Sequence, residues 1–239
     1  GTIRLNGSTT IILCDGCTMS IGEDADGKRI DGTGINGYSS TLTIYGQSLD
    51  DATAGHLKIF TTGDINSYGI HYSPYTQHSG NVTVKATDGT AIQTYGDITV
   101  NGGTLSVTSL DNDAVLADNG GNIIINGGKV NSTSSTHKAL WSFSGDITIN
   151  GGQVEATGAT GIFAGKGTIT LGWTNATDYI KASNYAGTVT IASGKTLYDE
   201  DNTPYSGTIE KVNGAFPIDG KTDRDRKSGS AGMPRPISY

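Results

Sequence analysis

The chain has 239 residues, of which 36 are glycine and only 16% are charged. Glycine costs roughly 1 kcal/mol relative to alanine inside a helix, so this composition excludes a long helical bundle. β-forming apolar residues recur at regular intervals and the charge per residue is low, which excludes disorder. The remaining class is a single all-β domain, long enough to bury a core without disulfide support.

The formal charge of −7 comes from 16 Lys and Arg against 23 Asp and Glu. No basic stripe is available to neutralise phosphates, so we expect no nucleic-acid partner. We also expect no transmembrane segment, because no run of 18 apolar residues occurs. No signal peptide is recognised at the start, where the sequence opens within a repeat pattern.

Internal repeats organise the sequence. Three segments align almost residue for residue, with starts 25 and 24 residues apart: Gly96–Gly103, Gly121–Gly128 and Gly145–Gly152. Shorter copies begin at Gly80, Gly167 and Gly187. Each full copy continues into two further runs of alternating apolar residues, separated by glycine-rich turns. The pattern therefore predicts three short strands per repeat.

Equivalent positions of the repeats carry the same residue types. A coil places them on one another, Ile98 over Ile123 and Ile147, whereas a hairpin meander would alternate their direction. We therefore predict an all-β, right-handed, single-stranded parallel β-helix with three strands and about 20–25 residues per rung, since parallel crossovers are almost always right-handed. Residues 1–215 are expected to form this domain, with inserted loops at 22–38 and 46–54. Residues 216–239 are expected to form a charged C-terminal tail held against another part of the molecule.

Polar residues repeat at two corners of the predicted coil. Asn101, Asn126 and Asn150 should form a hydrogen-bonded ladder, next to glycines that allow positive φ. The Gly-Asx positions hold Asn81, Asp97, Asn122 and Asp146. This alternation avoids the cost of stacking like charges directly.

The strings at 145–158, 187–201 and 13–19 resemble uncharacterised β-helix repeat proteins of gut Bacteroidales, over roughly residues 1–215. Such proteins are of the secreted or surface-displayed, adhesin-like kind, and some are labelled carbohydrate-binding. The resemblance implies an extracellular or cell-surface location in bacteria, and contact with a glycan or a host or cell-surface protein. It brings no catalytic motif. The oligomeric state is left open.

Cysteine and acidic motifs have ordinary structural interpretations. Cys14 and Cys17 lack the second pair that zinc needs, so we interpret them as core or corner residues, with a disulfide as the alternative. Two acidic loops offer oxygen ligands for calcium, although neither completes the twelve-residue pattern and solvated turns are the alternative. Their candidate ligands are Asp24, Asp26, Asp199 and Asp201. We expect no other cofactor.

Catalytic carboxylates are sparse on the predicted outer faces. The first strand presents a threonine ladder, the second only Glu155 and the third only Asp118. Glycoside hydrolysis needs two carboxyl groups about 5 to 9.5 Å apart, and a lyase needs a base and a cation. No catalytic residues are assigned, and a polysaccharide lyase or glycoside hydrolase is kept as the alternative function.

The third strand carries the candidate binding site. Uniform apolar residues are interpreted as inward: Ile70, Ile92, Val115, Leu140 and Ile162. The outward positions would then be unusually apolar for a solvated face. The candidate ligand-binding residues on this face and in the loop before it are Tyr95, Leu116, Trp141, Phe143, Phe163, Tyr72 and Tyr75. Two alternatives remain: the chain, its tail or another molecule covers the face, or the parity is reversed and these side chains fill the core.

These observations favour a non-catalytic extracellular β-helix module of a bacterial surface or secreted protein. Its role would be adhesive or structural, with glycan binding through the apolar third-strand face.

Overall fold

A computed structural model describes residues 1–22, 30–38, 40–49, 52–175, 177–196 and 218–219. Every regular element in these ranges is a β-strand, and the strands stack in parallel as a coil, except for one short antiparallel pair. The predicted all-β parallel β-helix is therefore confirmed. None of the described residues lies in a helix long and apolar enough to cross a membrane.

Each turn of the coil contributes one strand to each of three files. The first file contains β2 (Thr9–Leu13), β6 (Leu42–Gly46), β9 (Tyr75–Gln77), β12 (Ile98–Val100), β15 (Ile123–Ile125) and β18 (Ile147–Ile149). The second contains β3 (Thr18–Ile21), β7 (His56–Thr62), β10 (Asn81–Ala86), β13 (Thr104–Ser109), β16 (Lys129–Ser134), β19 (Gln153–Thr157) and β21 (Tyr179–Ala182). The third contains β1 (Ile3–Arg4), β5 (Ile35–Asn36), β8 (Ile70–His71), β11 (Ile92–Thr94), β14 (Val115–Ala117) and β17 (Lys138–Ser142).

Two longer strands join the third and first files. β20 (Thr160–Leu171) pairs with β17 through its first half and with β18 through its second half. β22 (Tyr185–Ile191) follows β20 along its length, with a register shift between Phe163 and Thr168. The first and third files consequently belong to one sheet, while the second file forms the other.

The core is a set of apolar stacks running along the coil axis. Ile98 lies in register with Ile123, which lies in register with Ile147, and each side chain is buried. The second file adds an equivalent stack of Leu105, Val130 and Val154. The predicted stacking of equivalent repeat positions is confirmed, and it explains why these positions hold Ile, Leu and Val.

Both predicted polar ladders are present among the described residues, but the inclusion of Asn81 in the Gly-Asx ladder was wrong, because Asn81 lies on a second-file strand and pairs with His56 and Thr104. Asn126 Nδ2 donates to Asn101 Oδ1 at 2.8 Å, and Asn150 Nδ2 donates to Asn126 Oδ1 at 2.8 Å. At the Gly-Asx corner, Asp97 Oδ1 accepts the Asn122 backbone N–H at 2.8 Å. The same bond recurs on the next rungs, where Asn122 accepts from Asp146 and Asp146 accepts from Thr168. Each ladder thus ties successive turns together at a corner.

The repeat prediction was wrong in two places, the file to which the Gly80 copy belongs and the extent of the loop at 22–38. Val82 pairs with Leu57 and Leu105, so the copy beginning at Gly80 is a second-file strand rather than a first-file strand. Its place in the first file is taken by β9, whose sequence lacks the Gly-Asx start. Residues 22–38 are likewise not wholly an inserted loop. β4 (Ile30–Asp31) pairs in parallel with β7 of the second file, and Ile35 in β5 is buried and pairs with Ile3 and Ile70.

The ends of the chain bear on several predictions. β23 (Ile218–Asp219) pairs antiparallel with β21, so a short part of the C-terminal region contacts the coil. Residues 220–239 and the calcium candidates Asp24, Asp26, Asp199 and Asp201 lie outside the described residues. The division into a domain of 1–215 and a tail of 216–239 therefore stays a prediction.

Cys14 and Cys17 flank a tight turn, closed by the Cys17 backbone N–H donating to the Cys14 carbonyl at 3.0 Å. Both are exposed and neither forms a disulfide. The corner interpretation is confirmed and the core interpretation is wrong, because Gly16 at φ 70° turns the chain outside the packed interior.

Candidate functional site

In the third file, the inward and outward side chains are those predicted from the sequence. The five residues interpreted as inward are all at most 1% exposed and belong to the core. The next residue on each strand forms a continuous outward file, in register from rung to rung: Arg4, Asn36, His71, Gln93, Leu116, Trp141, Phe163 and Ala186. Leu116 is only 7% exposed yet lies outside the core cluster. The outward file therefore makes its own apolar contacts on the surface, and the reversed parity is excluded.

Four of the candidate residues form one group, here called the Trp141 cluster: Leu116, Trp141, Phe143 and Phe163. The Trp141 and Phe163 rings lie nearly parallel, with centroids 6.1 Å apart and planes at 22°. The Phe143 ring is tilted by 59° against Trp141 at 5.7 Å. Phe143 is 44% exposed, while Trp141 and Phe163 are half-buried. The rungs thus hold several aromatic rings at the surface in a fixed arrangement.

Two lysines border the Trp141 cluster. Lys138 Nζ lies 3.9 Å from the Trp141 ring centroid and 5.8 Å from that of Phe163, a cation–π arrangement. The same ammonium is 3.7 Å from Asp113 Oδ1. Lys166 Nζ lies 5.5 Å from the Phe143 centroid. Sequence reasoning missed both lysines.

A second group, the Tyr72 cluster, lies nearer the N-terminal end of the same face: Tyr38, Tyr68, His71, Tyr72 and Tyr95. The His71 ring is stacked between Tyr68, at 3.7 Å, and Tyr72, at 3.5 Å. Tyr72 meets Tyr95 edge-on at 4.4 Å, and a hydrogen bond between their hydroxyls raises the pKa of Tyr95 to about 12. Tyr95 is 46% exposed. Tyr72 and Tyr95 therefore lie together, but in a cluster distinct from that of Trp141.

The Tyr72 cluster includes two residues with a strained backbone. Tyr72 has φ 64° and Tyr38 has φ 41°, both in the left-handed region that bulky residues rarely adopt. Their rings are 6.4 Å apart, and the Arg4 guanidinium lies 6.0 Å from the Tyr38 centroid. Strain of this kind costs of order 1–3 kcal/mol and persists only where surrounding contacts hold it.

Tyr75 lies apart from the other candidate residues. It belongs to the first file, in register with Ile98, and is fully buried. Its hydroxyl donates to Gln77 Oε1 at 2.8 Å, and burial raises its pKa. Tyr75 is thus a core residue and does not contribute to the surface formed by the others.

The outward carboxylates predicted on the strand faces and at the Gly-Asx corner of the full repeats have hydrogen-bond partners within the chain. Glu155 Oε1 accepts the Tyr179 hydroxyl at 3.0 Å, and Asp118 Oδ1 accepts the Asn119 backbone N–H at 2.7 Å. Asp97 and Asp146 belong to the corner ladder. Within the described ranges, no three His, Cys, Asp or Glu side chains group as a metal site.

His71 makes the stability of this face depend on pH. Burial lowers the pKa of His71 from 6.5 to about 4. Between these values the unfolded chain binds a proton that the folded chain does not, so stability falls as the pH decreases. We expect a loss on the order of 2 kcal/mol from this group between pH 7 and pH 4. Urea denaturation of wild type and His71→Phe at both pH values measures it. Phenylalanine keeps a stacked ring that does not titrate, so equal pH dependence in the two proteins would contradict the assignment.

Comparison with known proteins identifies no relative of this chain. No protein family, curated protein or solved structure matches the chain. The surface geometry therefore carries the functional argument.

Proposed function

We propose that the chain is a non-catalytic, extracellular β-helix module of a bacterial surface or secreted protein that binds a glycan through the Trp141 cluster. The observation that carries this proposal is the outward ring array of Trp141, Phe143 and Phe163. The coil already has a complete core of its own, so these rings are not needed inside. Contiguous exposed apolar patches mark interaction sites on soluble proteins.

The chemistry of the rings suits a carbohydrate. Aromatic side chains combine a broad apolar face with a rigid shape that has few rotatable bonds. The C–H-rich face of a sugar ring packs flat on such a surface. Because the rings project from parallel strands, the scaffold fixes their spacing before a ligand arrives, which reduces the ordering cost of binding.

The arrangement along the axis favours an extended ligand. Leu116, Trp141 and Phe163 come from three successive rungs. Neighbouring strands lie about 4.8 Å apart, so the cluster spans a length comparable with two sugar units. A polysaccharide chain lying along the coil axis would contact several rungs, which is consistent with an adhesive role for a repeat scaffold.

The test is a glycan-array screen of wild type, Trp141→Ala and Phe60→Ala. Phe60 is a matched control, since it is a half-buried outward residue on the second file with Lys85 5.7 Å from its ring centroid. We expect wild type and Phe60→Ala to bind the same glycans, and Trp141→Ala to bind at least about tenfold more weakly. Circular dichroism would verify that both variants remain folded.

Binding that survives in Trp141→Ala would overturn the placement of the site and direct attention to the Tyr72 cluster. The extracellular location has its own measurement. Protease added to intact cells of the source organism should digest the module, whereas protection until lysis would contradict a surface location.

A further inference from the structure

We infer that the Trp141 cluster selects acidic polysaccharides, whose sugars carry carboxylate or sulfate groups. This inference rests on the proposed function, because it names the ligand class for the same surface. Its basis is the pair of lysines that border the rings. An aromatic surface alone does not distinguish neutral from acidic sugars, whereas ammonium groups next to the rings do.

Lys138 has hydrogen-bonding capacity left for a ligand. An ammonium group has three N–H donors, and Asp113 is the one carboxylate paired with it among the described residues. Asp113 is only 4% exposed, and its Oδ1 also accepts the Lys138 backbone N–H at 3.0 Å. The carboxylate thus anchors Lys138 from the inside, and the remaining N–H groups stay at the ring surface.

Lys166 extends the positive charge to the next rung. It is exposed, and within the described part of the chain it has no ion pair. Its Nζ lies beside Phe143, while that of Lys138 lies beside Trp141 and Phe163. Each aromatic ring of the cluster consequently has an ammonium group over its face.

The two ammonium groups belong to a chain that is acidic as a whole. The formal net charge is −7, so the protein as a whole does not attract anions. An acidic polymer is therefore favoured only where ammonium groups are available to it. Lys166 is exposed, and the carboxylate paired with Lys138, that of Asp113, is itself buried. The acidic groups of uronic and sulfated sugars project from the ring edge. A sugar lying against the exposed parts of the rings would bring these groups next to the ammonium groups of Lys138 and Lys166.

The experiment compares each acidic polysaccharide with its own neutral form. Titration calorimetry would use oligomers of polygalacturonate and alginate, and the same oligomers after chemical reduction of their carboxyl groups. The proteins are wild type, the double variant Lys138→Gln/Lys166→Gln, Trp141→Ala and Lys129→Gln. Lys129 is an exposed lysine on the second file and serves as the matched control.

We expect wild type and Lys129→Gln to prefer an acidic oligomer over its reduced form by about tenfold, the effect of two partly exposed ion pairs. The preference should disappear in the double variant and should weaken when salt is raised. Equal affinity for acidic and reduced oligomers, or a preference that the double variant keeps, would overturn the inference. If neutral glycans bind and Trp141→Ala abolishes that binding, the proposed function stands without the inference. No binding to any acidic, reduced or arrayed glycan would overturn both.

Discussion

Ile123→Ala is expected to lower the free energy of unfolding by about 3 kcal/mol, the usual cost of truncating a large buried aliphatic side chain. Ile123 is 1% exposed and lies between Ile98 and Ile147 in the core stack. The cavity would open in the middle of the stack, where neighbouring rungs are fixed by their own pairing and cannot collapse into it. Urea denaturation followed by circular dichroism measures the loss.

The adjacent residue provides the control. Ile124 has the same side chain on the same strand but points outward and is half-buried. We expect Ile124→Ala to cost about 1 kcal/mol or less, because only part of its surface leaves water on folding. Similar losses for both variants would contradict the assignment of inner and outer faces.

Gly128→Ala is expected to lower the free energy of unfolding about as much as Ile123→Ala does, for a different reason. Gly128 has φ 78°, and an added Cβ would lie 2.5 Å from the Gly103 carbonyl oxygen. That oxygen accepts the Lys129 backbone N–H at 2.8 Å, a bond between successive rungs. The methyl group would therefore force adjacent turns apart. We expect a loss of about 3 kcal/mol, combining backbone strain with overpacking.

Gly120→Ala separates these two contributions. Gly120 has φ 84°, but an added Cβ meets nothing within 4 Å. Strain alone should then cost about 1 kcal/mol, partly offset by the lower entropy of the unfolded chain. Thermal unfolding of the two variants under one set of conditions gives the comparison. If Gly120→Ala proves as destabilising as Gly128→Ala, close approach of the rungs is not the cause.

The fold was predictable because stacked positions experience the same environment. Identical surroundings select identical residues, as at Ile98, Ile123 and Ile147, so the repeat is visible in the sequence. The asparagine ladder was predictable on the same ground, since each amide needs a like partner on the next rung. Prediction failed at β9, where Tyr75 and Gln77 satisfy each other inside the core and hide the repeat.

The candidate site was predictable only in part. The uniform apolar residues at inward positions showed which side chains of the third file point outward, and these include residues of the Trp141 cluster. The position of Lys138 beside Trp141 could not be predicted from the sequence, because Ala139 and Leu140 are both buried and interrupt the alternation of inward and outward residues along the strand. Strict alternation would place Lys138 and Trp141 on opposite faces. The contact of Tyr38 with Tyr72 was equally hidden, since it joins residues on separate turns through left-handed backbone conformations.

Because the third-file strands pair in register, the number of turns sets the length of the proposed binding face. Each turn contributes one outward residue to the same line, and the corner ladders repeat with the turns. Duplication of one repeat, such as residues 121–144, would add a rung without disturbing the pairing on either side of it. The length of the proposed binding face can therefore change by gene duplication in whole steps of one turn. Insertion of a partial repeat would instead break the register of every file.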